Sequence, residues 1–147
     1  MTALEFVNLF CAGILAGIEF VVRFGLRGSI PVLAEQPQIQ LRQALIRRLR
    51  VVVPAVYGLT ALSSVAVTIL AGTGFRYAGL FAVLGWTLVT FLGTVPINKA
   101  TLTWRLDAPP ANWRALVRRW ERLDTARWWT AALVFALFLT ATALAGG

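Results

Sequence analysis

The chain has 147 residues, 59% of them apolar and only 14% charged, where soluble domains run to about 45–50% and about 25%. A mean hydropathy of +0.74 is more apolar character than one small water-facing globule can hide, so lipid is the natural solvent. With no histidine and a single cysteine, Cys11, the sequence excludes Ser-His-Asp and Cys-His centres, His-ligated iron, structural zinc and an intramolecular disulfide.

Crossing the hydrocarbon as a helix takes about 20 apolar residues, and four segments meet that requirement. The first covers 3–22 despite Glu5 and Glu19. It has neither a basic leader nor a small-residue cleavage site, so it is expected to be a retained span and not a cleaved signal. At 100° per residue, Glu5, Asn8, Ala12, Leu15 and Glu19 share one face, which should turn to the bundle interior. Glu5 also suits the first-turn dipole, and Glu19 lies one turn before Arg23, within reach of an i,i+4 ion pair. Gly13 and Gly17 form a GxxxG match on the face opposite Asn8, a pattern associated with close helix packing.

After that span, Gly28–Gln38 with Pro31 and Pro37 reads as irregular loop, and Leu41–Arg50 as a short basic amphipathic helix. The second span, 51–71, carries a polar stripe of Tyr57, Thr60, Ser64 and Thr68, and Gly72–Tyr77 reads as a tight turn. The third, 78–98, carries Thr87, Thr90, Thr94 and Asn98. Three polar stripes predict a polar seam at the centre of the bundle. Pro109 and Pro110 suit the first turn of a second amphipathic helix, with Trp113, Leu116, Val117, Trp120 and Leu123 on one face. The last span covers 128–145, within a charge-free run from Trp128 to Gly147. Ala44–Leu49 resembles Ala115–Trp120 at an offset of 71, as two duplicated hairpins or two similar interfacial helices would. Trp86, Trp104, Trp113, Trp120, Trp128 and Trp129 read mainly as interfacial anchors.

Charge is one-sided. Of 14 basic residues, 13 fall in the two long connections and only Arg76 on the other side. The basic connections are therefore expected in the cytoplasm and both termini outside, in the cytoplasmic membrane. Membrane lipid is the natural partner of this charge; a nucleic acid is not, because no soluble module pairs the basic residues with stacking aromatics. The expected architecture is a single all-α domain over 1–147, a four-transmembrane-helix bundle with amphipathic cytoplasmic connecting helices.

Thr94-Val-Pro-Ile-Asn98, Trp104, Pro109-Pro-Ala-Asn-Trp113, Arg119-Trp120-Glu-Arg122 and Arg127 together resemble the anthrone-oxygenase-like family of small four-helix membrane proteins, largely of unknown function. That family commonly has histidine where this chain has Asp124, and a carboxylate there would take over as proton acceptor. The resemblance implies oxygenation of a hydrophobic, aromatic polyketide-like substrate by O2 without cofactor or metal. A base removes an acidic methylene proton, and the electron-rich anion itself reacts with oxygen. In this chain Asp124 or Glu19 would be the base, with Asn98 and Arg127 as donors to the carbonyl oxygen. Trp104, Trp113 and Trp120 would form aromatic walls, with Tyr57 and Thr94 beside them. The competing expectation is a non-enzymatic membrane partner whose basic cytoplasmic helices dock another protein or lipid. The sequence assigns no oligomeric state.

Overall fold

The computed structural model describes residues 1–147, and the chain is all-helical. Helix α1 (Ala3–Val21) opens with a capping box in which Thr2 Oγ1 accepts from the Glu5 amide at 3.2 Å and Glu5 Oε2 accepts from the Thr2 amide at 2.7 Å. It continues through a π turn, Val22–Leu26, and two short turns, Arg27–Ser29 and Ile30–Val32. Helix α2 spans Glu35–Leu70. Helix α3 (Gly74–Val89), capped by Thr73, passes through a second π turn, Thr90–Thr94, into α4 (Val95–Thr101). Helix α5 spans Trp113–Ala145. The four helical rods, 28 to 36 residues each, are long and apolar enough to cross a membrane.

Two expectations about the connections are corrected. The amphipathic segment 41–50 is not a separate helix but the first part of α2, and 113–123 is likewise the first part of α5. Helix runs through both junctions; at the first, Pro54 removes only the bond to the Arg50 carbonyl without ending the helix. The expected loop at 28–38 is almost wholly helical, irregular only at Leu33 and Ala34. Pro31 and Pro37 sit in first turns, where no amide donor is needed. Pro109 and Pro110, in contrast, precede α5, which begins after Asn112. The similar stretches Ala44–Leu49 and Ala115–Trp120 occupy equivalent places, each on the arm leading into a long span.

The main packing pairs are α3 on α5, α1 on α2 and α1 on α5, whereas α2 meets α3 less extensively. Asn8, Ala12, Leu15 and Glu19 are buried on the predicted face of α1. Asn8 Nδ2 donates to Ser63 Oγ at 3.1 Å and Ser64 Oγ at 2.9 Å, tying α1 to α2 inside the bundle. Large apolar side chains such as Phe81 and Leu92, 74% and 75% exposed, cover the outside as lipid-facing residues would. The GxxxG pair makes no helix–helix seam within the chain: Gly13 faces the Phe135 ring, and a Cβ at Gly17 would meet nothing within 4 Å.

The glycine that packing does require is Gly79 on α3. A Cβ there would lie 2.5 Å from the ring of Phe138, which is itself 1% exposed and has nowhere to move. Gly79→Ala is expected to cost about 1–3 kcal/mol through overpacking. Thermal unfolding in detergent checks this, and Phe138→Leu in the same chain should restore most of the loss.

The end of the bundle away from the basic arms is closed by Arg76. This arginine is 2% exposed, donates to the carbonyls of Val67 at 3.0 Å and Ala71 at 2.7 Å, and pairs with Glu5. The lone base on that side therefore binds two carbonyls at the C-terminus of α2, that of Val67 as a second donor beside the Ala71 amide, together with the carboxylate of the α1 cap.

Candidate functional site

Where α2 meets α3 and α4 loosely, the bundle encloses a cavity of about 370 Å³ on its basic half. Its walls carry the backbone irregularities of the molecule. Val22 and Leu26 come from the first π turn, Thr90, Phe91 and Thr94 from the second, and Pro54 from the interior of α2. Pro54 lacks the amide that would bond the Arg50 carbonyl, and a π turn displaces the i−4 ladder by one residue. Irregular backbone of this kind is tolerated within a membrane where it lines a cavity.

At the floor, α1 brings Glu19, 1% exposed, against Arg127 of α5. Arg127 Nη2 donates to Glu19 Oε1 at 2.6 Å, and Trp86 Nε1 of α3 donates to the same oxygen at 3.3 Å. The Arg127 guanidinium lies over the Trp86 ring, 5.0 Å from its centroid. Behind Trp86, Tyr57 stacks at 4.7 Å between centroids and shares a 2.7 Å hydrogen bond with Thr87. With Oε1 taken twice, Glu19 Oε2 has no protein donor. Asp124 faces Glu19 within hydrogen-bonding reach, is 0% exposed, and has neither carboxyl oxygen bonded to any other group. Two carboxyl groups so placed, away from water, satisfy each other when one proton bridges them.

Among the residues singled out by sequence, the structure brings Glu19, Thr94, Asn98, Trp120 and Arg127 to the cavity wall. Asp124 stands behind Glu19 and does not line it. The pairing Glu19 to Arg23 does not form: Arg23 donates to Thr125 Oγ1 at 2.6 Å, joined there by Arg27 at 2.8 Å. Nor does the i,i+3 pair Asp124 to Arg127, because Arg127 is taken by Glu19. Tyr57 reaches the site only through Trp86.

Trp104 and Trp113 belong elsewhere. Their rings meet edge to face at 6.2 Å and pack on Ile39, forming a separate cluster at the basic end. Gln43 holds that cluster by donating to the carbonyls of Thr101 at 3.0 Å and Trp104 at 2.9 Å, and Trp113 Nε1 donates to Glu35 at 2.8 Å. These two tryptophans brace the connection into α5 and are not walls of the cavity.

The polar stripes are mostly self-satisfied. Thr60, Thr68, Thr87 and Thr94 each donate to the carbonyl four residues back, at 2.7–3.1 Å. Of the eight buried atoms left without a partner, Thr90 Oγ1, Trp120 Nε1, Arg42 Nε and Arg127 Nε belong to residues that line the cavity; the others are Arg23 Nε, Arg76 Nε at the far end and both Asp124 oxygens. Trp86, expected as an interfacial anchor, is instead 2% exposed inside the bundle. A mid-span indole, whose N–H needs a buried acceptor, was the available signal for it.

Fold and site together define a membrane-type four-helix bundle with a carboxylate–guanidinium pair at the foot of an apolar cavity. Comparison with protein-family models, with curated proteins and with solved structures gave no match in any of the three.

Proposed function

We propose that the protein is an integral membrane enzyme that oxygenates a hydrophobic aromatic substrate of the anthrone type in this cavity, using O2 and the substrate's own reducing power. The observation that carries the reading is the cavity of about 370 Å³ with Glu19 as the one carboxylate in its wall, backed by Asp124 as a second carboxyl group. Small-molecule sites span about 300–1,000 Å³, so a tricyclic body is an appropriate occupant.

In the reaction, Glu19 Oε2 takes a proton from the methylene carbon. Arg127 and Asn98, both on the cavity wall, face the carbonyl oxygen that gains charge as the anion forms. The anion passes one electron to O2, and the resulting radicals combine into a hydroperoxide. Loss of water, carrying one oxygen atom away, leaves the second oxygen as the new quinone carbonyl. One O2 is consumed and one water released for each methylene oxidised. Asp124 supports the base by holding the proton between the two carboxyls, a positioning role in place of the direct one expected from the sequence. Phe91 and Trp120 supply the aromatic wall.

Residence in the cytoplasmic membrane, with the basic arms inside and both termini outside, belongs to the same reading and is supported by the 13-to-1 distribution of basic residues. A second reading, docking of a protein or lipid, has its own support in Arg47, Arg48, Arg118 and Arg119, all exposed on the arms of α2 and α5. Charge reversal at Arg118 and Arg119 would abolish that function and leave oxygenation untouched.

The test is oxygen uptake and quinone formation by the purified protein in nanodiscs, supplied with an anthrone anaerobically and then aerated. Turnover above the spontaneous rate is the expected result. A folded protein that gives no acceleration would sink the oxygenase reading.

A further inference from the structure

The wall of the cavity carries five cations, Arg27, Arg42, Arg50, Lys99 and Arg127, against one carboxylate, Glu19. Arg127 is neutralised by Glu19, and Arg27 lies 3.7 Å from Glu121. Arg42, Arg50 and Lys99 form no ion pair; Glu121, the carboxylate whose charge reaches Arg42, is paired with Arg27. Arg42 is half-buried, with one bond to Gln38 at 3.3 Å and its Nε left without a partner.

Position along the helices separates this charge from the floor. Arg42 and Arg50 precede Val53 and Pro54 toward the basic end of α2, and Lys99 follows Thr90 and Phe91 toward the basic end of α4. Between these cations and the floor the walls are apolar, formed by Leu49, Val53, Phe91 and Ile97 among others. Arg50, Pro54, Phe91 and Lys99 are exposed, so the mouth opens on the outer surface between α2 and the α3–α4 rod. A molecule entering there passes cations first and hydrocarbon walls second, the order in which an acidic amphiphile lies in a leaflet.

We infer that the occupant is an acidic amphiphile with a single chain or compact ring body, its anionic head against Arg42, Arg50 and Lys99 and its apolar body directed at Glu19. The assignment rests on the cavity being the substrate site proposed above, and adds that the substrate carries an acid group remote from the reacting carbon. The volume lies near the lower limit for small-molecule sites, which favours a one-chain or ring-bodied acid over a two-chain phospholipid. Half-buried Arg42, with exposed Arg50 and Lys99 at the mouth, holds an anion by charge-assisted hydrogen bonds, which an uncharged ester of the same shape cannot replace.

The test uses the full-length protein in neutral detergent, titrated with dodecanoate or methyl dodecanoate and read by native mass spectrometry. Dodecanoate should bind one per chain, with the ester at least about tenfold weaker, the difference expected for loss of a hydrogen bond to a charged group. R50Q/K99Q, altered only at exposed positions, should lose about as much affinity for the acid, whereas R118Q/R119Q, outside the cavity, should keep it. Equal binding of acid and ester, or an equal loss in both double variants, would overturn the assignment. So would stoichiometric displacement of dodecanoate by dioleoylphosphatidylglycerol, which would make the site one for membrane lipid. Acid binding without turnover of any anthrone would defeat the oxygenase reading alone. Turnover of a neutral anthrone, without acid binding and indifferent to R50Q/K99Q, would defeat this one alone.

Discussion

Glu19→Gln is expected to lower anthrone turnover by about 10²–10⁴-fold, the range for loss of a positioned general base. The amide retains the shape of the side chain and an oxygen for Trp86 and Arg127 but leaves the Arg127 charge uncompensated, so turnover is compared on protein whose thermal unfolding shows it folded. Two companions sharpen the result. Asn98→Ala removes a donor from the wall without touching the Glu19 pair, and should reduce kcat with the base intact. Asp124→Asn should act more weakly than Glu19→Gln, because Asp124 reaches the substrate only through Glu19. Initial rates of oxygen uptake across the three variants provide the comparison. Full activity in Glu19→Gln would remove Glu19 from the mechanism, whatever the substrate.

Arg127→Met should destabilise the protein by about 3–5 kcal/mol, since it strands the buried Glu19–Asp124 carboxyl pair with only the 3.3 Å bond from Trp86 in place of the guanidinium. The cost lies in the uncompensated charge more than in the pair itself. Glu19→Leu combined with Arg127→Met should therefore recover most of the loss, as an apolar pair of similar volume commonly does in place of a buried ion pair. Denaturation in detergent followed by tryptophan fluorescence measures both. If Arg127→Met unfolds at the wild-type midpoint, the Glu19–Arg127 contact does not hold α1 to α5.

The spans and the inward face of α1 were legible because both follow from local periodicity. Charge-free runs of about 20 residues have one use in a chain this apolar, and 100° per residue placed Asn8, Ala12, Leu15 and Glu19 together. The partner of Glu19 was not legible. Sequence offers Arg23 one turn away, but the π turn at Val22–Leu26 shifts the register there, and Arg23 goes to Thr125. The residue that takes Glu19 is 108 positions distant, on a helix whose rotation depends on packing. Trp104 and Trp113 illustrate a different limit. Their aromatic character suited a cavity wall and a buried brace equally, and what decided between them was Gln43, on another helix, binding the carbonyls beside Trp104. Arg76 is legible in the sequence only as the single base on the far side, because the Ala71 carbonyl is free to accept from it only once α2 ends where it does.

Helices α2 and α5 have 36 and 33 residues, which at 1.5 Å per residue makes rods of about 54 Å and about 50 Å. A hydrocarbon layer of about 30 Å leaves roughly 20 Å of each standing clear of it. Both helices run on through the boundary, α2 with only the Arg50 carbonyl released by Pro54, so each protruding arm acts as a lever on its span. The cavity wall from Arg42 to Pro54 straddles that boundary on α2. A tilt of α2 would therefore move the stretch from Arg42 to Pro54 relative to α4 and alter the aperture between them.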